Sequence, residues 1–232
     1  MAGGKGTRLR ALTNDEVPKP MVPVAEKPIL QWQIECLREQ GVSDIVIIVG
    51  HLGEKIQEYF RDGGSFGVNI RYVEEERPLG TAGALSMLPP MLEKENFFLI
   101  FGDVLFDIDL QRMERFHREK QAAATLFVHP NAHPFDSDLV IHDADGRVRR
   151  FDSKHNVRDY WYRNCVNAGF YLLNRRICQG IPAQTKVDLE KELLTSLIAD
   201  GQPVYAYESS EYIKDVGTVE RIQRAEEELG SG

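Results

Sequence analysis

The chain has 232 residues, with 36 acidic and 28 basic side chains and a formal net charge of −8. This length suffices for one substantial α/β domain, and the acidic balance argues against nucleic acid or an anionic membrane as the main partner. No run approaches about 18 apolar residues and the N-terminus lacks a signal region, so we expect a soluble, cytoplasmic protein. The three cysteines have no metal-like spacing and are expected to be reduced, buried thiols.

The chain opens with a glycine-rich stretch that reads AGGKGTRL over residues 2–9. Glycines let a backbone turn sharply and approach a ligand, while Arg8 and Lys19 add positive charge beside exposed N–H groups. The stretch therefore predicts a polyphosphate cradle. It is not the dinucleotide fingerprint, which needs a glycine in place of Leu9, nor a P-loop, which needs Gly-Lys-Ser/Thr after four spacer residues.

Only Met1 precedes this loop, although in an α/β nucleotide-binding fold such a loop follows a buried strand. The closing sequence Gly230-Ser231-Gly232 resembles the end of an excised piece. We therefore expect that a first strand, and residues beyond the C-terminus, belong to a longer polypeptide.

Apolar periodicity then predicts alternating helices and strands through the first half of the chain. In order these are a helix at 28–41, a buried strand at 44–50, a short helix at 56–60, a strand at 68–75, a helix at 82–92 broken at Pro89-Pro90 and a buried strand at 97–101. This alternation predicts an α/β fold with a doubly wound, mostly parallel, Rossmann-like sheet, whose ligands bind beyond the carboxyl ends of the strands.

The second half predicts a mixed sheet, because a hairpin at 139–151 interrupts the alternation. The other elements are a helix at 110–116, strands at 123–128, 167–173 and 204–207, an amphipathic helix at 189–199 and a closing helix at 220–229.

Two carboxylates are candidate Mg²⁺ ligands. Asp103 follows the strand at 97–101, and Asp215 begins the sequence Asp-Val-Gly-Thr. Carboxylate oxygens suit Mg²⁺, which is usually completed by waters and substrate phosphates. The alternative for each is a helix cap or a solvated turn. Asp107 is more consistent with a structural role.

A second glycine-rich stretch, ERPLGTAGA at residues 76–84, offers Gly80 and Thr81 ahead of the predicted helix. A glycine backbone can lie against a flat heterocycle, and the start of a helix attracts anions. An ordinary helix start is the alternative.

These motifs, in this order over residues 3–229, resemble the signature of the sugar-1-phosphate nucleotidyltransferases, also called NDP-sugar pyrophosphorylases. The matching elements are GGKGTRL at 3–9, PKP at 18–20, PLGTAG at 78–83, Gly-Asp at 102–103 and DVGT at 215–218. The resemblance implies a GT-A-like fold and the transfer of a nucleotidyl group from an NTP to a sugar 1-phosphate, with release of pyrophosphate. It also implies one domain over residues 1–229, followed by a tail at 230–232. Within the domain, residues 1–122 would bind the nucleotide, residues 123–218 would bind the sugar phosphate and residues 219–229 would form a closing helix.

The resemblance also implies roles for individual residues. Arg8 and Lys19 would be catalytic, and Asp103 and Asp215 would bind Mg²⁺. The expected nucleotide-binding residues are Ala2, Gly3, Gly4, Gly6, Thr7, Gly80 and Thr81. The expected sugar-phosphate-binding residues are Lys154, Asn167 and Gly169. Here the chain departs from the family, since Asp152-Ser153 stands where a glutamate directly before the lysine is common, so a solvated surface lysine is the alternative for Lys154.

Residues 128–138 are similar to a branch that acts on D-glycero-D-manno-heptose 1-phosphate or mannose 1-phosphate with GTP, often fused to a phosphatase domain. His129 and His133 have the spacing of a helical metal pair, but Pro130 and Pro134 disfavour a helix and hence a zinc site. The alternatives are a UTP- or dTTP-dependent hexose enzyme, a catalytically silent regulatory homologue and a plain nucleotide-binding scaffold. Homo-oligomerisation is left open.

Overall fold

The computed structural model describes residues 1–3, 16–131, 135 and 137–230. In chain order the strands are β1 (Pro23–Val24), β2 (Lys27–Pro28), β3 (Asp44–Val49), β4 (Asn69–Glu74), β5 (Asn96–Ile100), β6 (Val104–Asp107), β7 (Ala124–Pro130), β8 (Leu139–His142), β9 (Val148–Asp152), β10 (Cys165–Asn174), β11 (Val204–Glu208) and β12 (Tyr212–Asp215). The α-helices are α1 (Ile29–Glu39), α2 (Gly53–Phe60), α3 (Leu110–Glu119), α4 (Thr195–Ala199) and α5 (Val219–Gly230).

The chain divides into two compact units, and neither is continuous in sequence. Unit 1 comprises Met1–Pro78, Ile100–Ile108 and Tyr212–Gly232, and unit 2 comprises Leu79–Leu99 and Asp109–Glu211. Among the residues that the structure describes, no helix combines the length and the apolar character needed to span a membrane.

Unit 1 is built around a parallel pair of strands, as its sequence predicts. The apolar run of β3 pairs in parallel with β4, from Asp44 opposite Asn69 to Val49 opposite Glu74. Helix α1 buries Leu30 and Ile34 in the same core as Ile47 and Val49. A parallel strand with apolar side chains on both faces needs such cover, so hydrophobic burial fixes this part of the fold.

The first two residues of unit 1 complete its backbone hydrogen bonding. The Ala2 N–H donates to the Ile48 carbonyl at 2.8 Å, and the Gly102 N–H donates to the Met1 carbonyl at 2.9 Å. Ala2 is 3% exposed. These bonds satisfy polar groups that would otherwise be buried without a partner, and they bring the start of the glycine-rich stretch beside the end of β3 and beside Gly102, which precedes β6.

An antiparallel pair in unit 1 was not predicted. β6 pairs with β12, with Val104 opposite Asp215 and Asp107 opposite Tyr212. Leu105 of β6 belongs to a second apolar cluster that also contains Val216 and Ile222. The pair brings two segments that are distant in sequence to one place.

Unit 2 contains a four-stranded sheet in the order β11-β7-β10-β5. β11 is parallel to β7, whereas β10 is antiparallel to β7 and carries a bulge between Asn167 and Tyr171. The bulge contains Gly169, whose φ of +73° a side chain would disfavour. β8 and β9 form the predicted antiparallel hairpin. The α/β class is therefore correct, with a mixed sheet.

The predicted helix at 82–92 is wrong. The structure has two short 3₁₀ turns there, Gly83–Met87 and Pro89–Met91. The Ala82 N–H donates to the Val187 carbonyl at 2.9 Å, so the start of this segment is hydrogen-bonded to a distant part of the chain. Pro89 then lacks the N–H that would continue a helix. The predicted helix at 189–199 does form, but its first part, Leu189–Leu194, is π-helical and only α4 is α-helical.

Candidate active site

Lys19 lies in a 3₁₀ turn, Lys19–Met21, that begins after an extended Pro18. Its ammonium forms an ion pair with Oδ2 of Asp103, and the two side chains are only 14% and 22% exposed. Two prolines around Lys19 restrict the backbone, and the ion pair with Asp103 orients the side chain. The predicted catalytic lysine and the predicted metal ligand are therefore direct neighbours.

The strand pairing of β6 and β12 brings the two predicted metal ligands together. Asp103 directly precedes β6, and Asp215 is the last residue of β12. The Val216 N–H donates to the Asp103 carbonyl at 2.8 Å, so the backbones remain joined just past the strand ends. The two carboxylates are consequently at the same end of the strand pair.

Gly217 marks the space that these side chains share. A Cβ at Gly217 would lie 2.7 Å from Oδ1 of Asp215, 3.0 Å from Nζ of Lys19 and 3.6 Å from Oδ2 of Asp103. The absence of a side chain at this position therefore keeps open a small volume that is lined by two carboxylates and an ammonium.

Asp215 is held in place from two sides. Its Oδ1 accepts the Gly217 N–H at 2.7 Å, and its Oδ2 accepts from Nη1 of Arg221 at 2.5 Å. Arg221 lies on α5 and was not singled out from the sequence. It balances one carboxylate as Lys19 balances the other, so the cluster of four charged groups is electrically neutral.

This arrangement fits a hard divalent cation. The donors are carboxylate oxygens with remaining lone pairs, and Gly217 leaves room for a cation with its waters or phosphate oxygens. Lys19 and Arg221 place two cations beside these carboxylates. The cluster thus combines oxygen donors of the kind that a divalent cation needs with two positively charged groups.

Only part of the first glycine loop belongs to the described residues. Gly3 packs against Gly50, where a Cβ at Gly50 would be 3.1 Å from the Gly3 Cα, and a Cβ at Gly3 would collide with the carboxylate of Glu75. Gly3 therefore allows close backbone packing within unit 1. Gly4, Gly6, Thr7 and Arg8 lie outside the described residues, as does His133.

In unit 2, Gly80 and Thr81 are tied to the segment before the π-helical turn. Gly80 has a φ of +77°, and a Cβ there would be 2.5 Å from the Val187 carbonyl oxygen. The Thr81 hydroxyl accepts the Leu189 N–H at 2.7 Å. Contacts within the protein therefore explain why a glycine and a threonine occur at these two positions. Their contacts with a nucleotide remain a prediction.

Asn167 belongs to a buried polar cluster that the sequence did not reveal. Its Nδ2 donates to the Tyr171 hydroxyl and, at 2.5 Å, to Oε1 of Glu190, and the Tyr171 hydroxyl donates to the same oxygen at 3.0 Å. Burial raises the pKa of Glu190 above its usual range, against the effect of the two donated hydrogen bonds. Gly169 donates its N–H to Oδ1 of Asn167 at 3.3 Å, so the bulge and the cluster form one unit.

Lys154 has an exposed side chain, and its N–H donates to Oδ1 of Asp138 at 2.8 Å. Nearby, Asp152 lies two residues before Lys154. Its Oδ2 accepts from Nε of Arg158 at 2.9 Å and from the Tyr160 hydroxyl at 2.6 Å. Asp152 is buried by these partners, which explains an aspartate here as an anchor for the following loop.

Comparisons with known proteins establish the family and the fold. The whole chain, residues 1–232, matches the family model for nucleotidyl transferases, so the chain belongs to the nucleotidyl transferase family. A structural neighbour, HddC from Yersinia pseudotuberculosis, has a TM-score of 0.83 at 23% identity and covers 98% of this chain and 96% of its own. This likeness confirms the mixed α/β nucleotidyltransferase fold.

Three relatives are similar in sequence. A UTP-glucose-1-phosphate uridylyltransferase from Synechocystis is 34% identical, over 94% of this chain and 59% of the relative. A mannose-1-phosphate guanylyltransferase from Mycobacterium tuberculosis is 33% identical, over 100% of this chain and 64% of the relative. A D-glycero-alpha-D-manno-heptose 1-phosphate guanylyltransferase from Aneurinibacillus thermoaerophilus is 31% identical, over 99% of this chain and 96% of the relative. The chain thus spans less than two thirds of the first two relatives and nearly all of the third.

Proposed function

We propose that this protein is a sugar-1-phosphate nucleotidyltransferase, which converts an NTP and a sugar 1-phosphate into an NDP-sugar and pyrophosphate. One observation carries the proposal. In a chain of the nucleotidyl transferase family, the Lys19 ammonium and the carboxylates of Asp103 and Asp215 line one small volume beside Gly217. Transfer to a phosphate oxygen needs charge neutralisation more than a protein nucleophile, and these side chains supply that.

In the proposed reaction, a phosphate oxygen of the sugar 1-phosphate attacks the α-phosphorus of the NTP in line. The bond from this phosphorus to the bridging oxygen breaks, and pyrophosphate leaves with the electron pair. Lys19 and Arg8 would neutralise the charge that develops on the leaving group. Preorganised cations lower the barrier because they do not have to reorient during the reaction.

Asp103 and Asp215 would hold Mg²⁺, whose chemistry is to neutralise phosphate charge and to orient the attacking and departing oxygens. The ion pair of Lys19 with Asp103 fixes that carboxylate, and Arg221 fixes Asp215. Each acid thus has a defined orientation before substrates arrive. Mg²⁺ is preferred to a softer metal because both side chains offer only oxygen.

The residues of unit 2 would bind the organic parts of the substrates. Within the proposal, Gly80 and Thr81 contact the base or ribose, while Asn167, Gly169 and Lys154 contact the sugar phosphate. The hydrogen bonds of Asn167 to Tyr171 and Glu190 use both N–H groups of its amide and fix its orientation, so Oδ1 is the atom that would accept from a sugar hydroxyl.

GTP and a manno-configured sugar phosphate are the proposed substrates. The names of two relatives, a mannose-1-phosphate and a heptose 1-phosphate guanylyltransferase, support this choice. The uridylyltransferase relative supports the alternative, UTP with glucose 1-phosphate. A cytoplasmic location, where NTPs are available, belongs to the same proposal, whereas a homo-oligomer and a fused phosphatase domain stay predictions.

The test is Mg²⁺-dependent pyrophosphate release by the full chain. GTP, UTP, dTTP, CTP and ATP are each combined with mannose, D-glycero-D-manno-heptose and glucose 1-phosphates. We expect release with GTP and a manno-configured phosphate, and a loss of roughly hundredfold or more in Asp103→Asn and Asp215→Asn. Release with UTP and glucose 1-phosphate alone would replace the substrates and keep the reaction.

The control for the variants is Asp107→Asn, which removes a carboxylate at the far end of β6. It should retain near-normal turnover. A folded protein that binds nucleotide but releases no pyrophosphate with any pair would instead identify a regulatory homologue, and release without sugar phosphate would contradict the proposed acceptor.

A further inference from the structure

Three strand ends of unit 2 bring together a histidine, a cysteine and a glutamate. β8 ends at His142, β10 begins at Cys165 and β11 ends at Glu208. One ligand atom from each residue lies within 4.8 Å of the others. We propose that these three side chains form a binding site for Zn²⁺ or a similar borderline transition metal, separate from the Asp103 and Asp215 site.

The state of His142 supports a metal ligand. Its Nδ1 lies 3.0 Å from the Asp143 carbonyl oxygen, which can only accept, so Nδ1 carries the proton. Nε2 then has a free lone pair, and it finds no hydrogen-bond partner among the described residues although the side chain is only 2% exposed. Metal-binding histidines commonly donate their other nitrogen to a backbone carbonyl in this way.

A buried polar atom without a hydrogen-bond partner lowers the stability of the folded protein, and His142 Nε2 is such an atom. It lies 3.9 Å from Oε2 of Glu208, which is too far for a hydrogen bond. A cation between the two atoms would satisfy both. The orphaned nitrogen is thus an observation that points to a ligand, independent of the clustering itself.

Cys165 provides the second donor. It is 2% exposed, and burial, with the nearby Glu208 carboxylate, raises the pKa of its thiol to about 12. Without metal the thiol therefore keeps its proton and donates it to Glu208. When a metal binds, the S–H bond breaks, the proton passes to solvent and the sulfur electron pair forms the metal–sulfur bond.

Charge favours a divalent ion here. A thiolate and a carboxylate together carry two negative charges, which a divalent cation neutralises with a neutral imidazole as the third ligand. Nitrogen, sulfur and oxygen donors are the set that Zn²⁺ prefers, whereas Mg²⁺ requires oxygen. Three protein ligands leave a fourth tetrahedral position for water.

Arg163 competes with the metal for Glu208. Its Nη1 lies 2.8 Å from Oε2 of Glu208, and the two side chains are 46% and 39% exposed. An exposed ion pair of this kind is weak. Metal binding should replace it, and removal of the guanidinium should tighten metal binding by about two- to fivefold.

The test is a titration of the full chain, first stripped of metal with a chelator, with Co²⁺ and then with Zn²⁺. We expect one equivalent of Co²⁺ to give a thiolate-to-cobalt charge-transfer band and the visible bands of tetrahedral cobalt, and Zn²⁺ to abolish both. His142→Ala and Cys165→Ser should lose the charge-transfer band, and Glu208→Gln should bind more weakly by more than about tenfold. Excess Mg²⁺ should leave the spectrum unchanged.

The matched control is Cys178→Ser, which removes another buried thiol of unit 2 and should retain the full spectrum. If Cys165→Ser does not fold, the exposed variants decide, since Arg163→Ala should bind Co²⁺ more tightly and Glu208→Gln more weakly. A folded wild-type protein without the charge-transfer band would overturn the proposal. So would a band that persists in Cys165→Ser, or affinities that neither Arg163→Ala nor Glu208→Gln changes.

Discussion

Asp215 and Asp103 face the same small volume, because a Cβ at Gly217 would lie 2.7 Å from Oδ1 of Asp215 and 3.6 Å from Oδ2 of Asp103. The antiparallel pairing of β12 with β6, in which Asp215 is opposite Val104, brings the two segments together. Two like charges at one strand end repel each other unless cations compensate for them. Lys19 and Arg221 provide that compensation in the ligand-free protein. In the proposed function, the metal would take the carboxylates as ligands and the polyphosphate would take Lys19 and Arg221 as partners, so the charges would stay compensated.

Lys19→Ala should fold normally and lose roughly hundredfold in turnover, because it removes a fixed cation from the proposed leaving-group side, worth about 3 kcal/mol of barrier. The measurement is kcat for pyrophosphate release with saturating substrates. The control is Lys27→Ala, which removes another lysine of unit 1 from an ion pair with Glu35 at 2.9 Å. Near-normal turnover in Lys19→Ala would show that the ammonium does not act in the reaction.

Gly217→Ala should reduce activity mainly through metal binding. The added Cβ would lie 2.7 Å from Oδ1 of Asp215, closer than van der Waals contact allows, and 3.0 Å from Nζ of Lys19. We expect the Mg²⁺ concentration for half-maximal activity to rise by roughly tenfold or more, since the side chains that bind a metal ion tolerate little displacement.

Gly180→Ala is the control for this change, because a Cβ at Gly180 would meet nothing within 4 Å. Its Mg²⁺ dependence should equal that of the wild type. If Gly217→Ala has an unchanged Mg²⁺ dependence in a folded protein, the volume beside Gly217 is not where the metal binds.

Sequence patterns predicted the elements whose stability comes from local apolar periodicity. β3 and α1 have runs that can be buried in only one way, and both form where expected. β6 and β12 were missed because each has only four residues and contributes to the core through pairing with the other. The pairing of distant segments leaves no periodicity in either segment alone.

The candidate site was predictable to a similar extent. Asp103, Asp215 and Lys19 are in motifs, and the structure brings them together. Two other groups belong to no sequence motif, namely Glu190 with its partners and the cluster of His142, Cys165 and Glu208. Their members are far apart in sequence and meet only in the folded protein. No signal in the sequence marked Glu190, because Lys191 and Glu192 follow it directly and the three together resemble an exposed, charged face of a helix.

Glu190→Gln should stabilise the protein at neutral pH. Burial raises the pKa of Glu190 above its ordinary value of 4.5. The folded state therefore holds the proton more tightly than the unfolded state, and this stabilisation is lost as pH rises from 4.5 through the folded-state pKa. Glutamine keeps an acceptor for Asn167 and Tyr171 without the charge, so its free energy of unfolding should exceed that of the wild type at pH 7.

The measurement is denaturant unfolding at pH 4.5 and pH 7, where the advantage of Glu190→Gln should be present only at the higher pH. Glu190→Ala is the matched comparison. It leaves the buried donors of Asn167 and Tyr171 without an acceptor and should destabilise by roughly 1–3 kcal/mol. An equal advantage of Glu190→Gln at both pH values would contradict the ionisation argument.

His117 should make the fold acid-sensitive. Its side chain is buried, its Nδ1 lies 2.8 Å from the Thr125 hydroxyl, and burial lowers its pKa from 6.5 to about 4. The folded state thus disfavours the protonated ring. The stability that depends on the neutral ring is complete above pH 6.5 and is lost as pH falls from 6.5 through about 4.

Between pH 7 and pH 5 the wild type should therefore lose about 2 kcal/mol more unfolding free energy than His117→Gln, which cannot titrate in this range. Other acidic groups contribute equally to both proteins, so the difference isolates His117. The exposed His155 provides the control for the substitution itself, and His155→Gln should have the wild-type free energy of unfolding at pH 7. Parallel stability profiles for the wild type and His117→Gln would mean that His117 accepts its proton without disrupting the packing between α3 and β7.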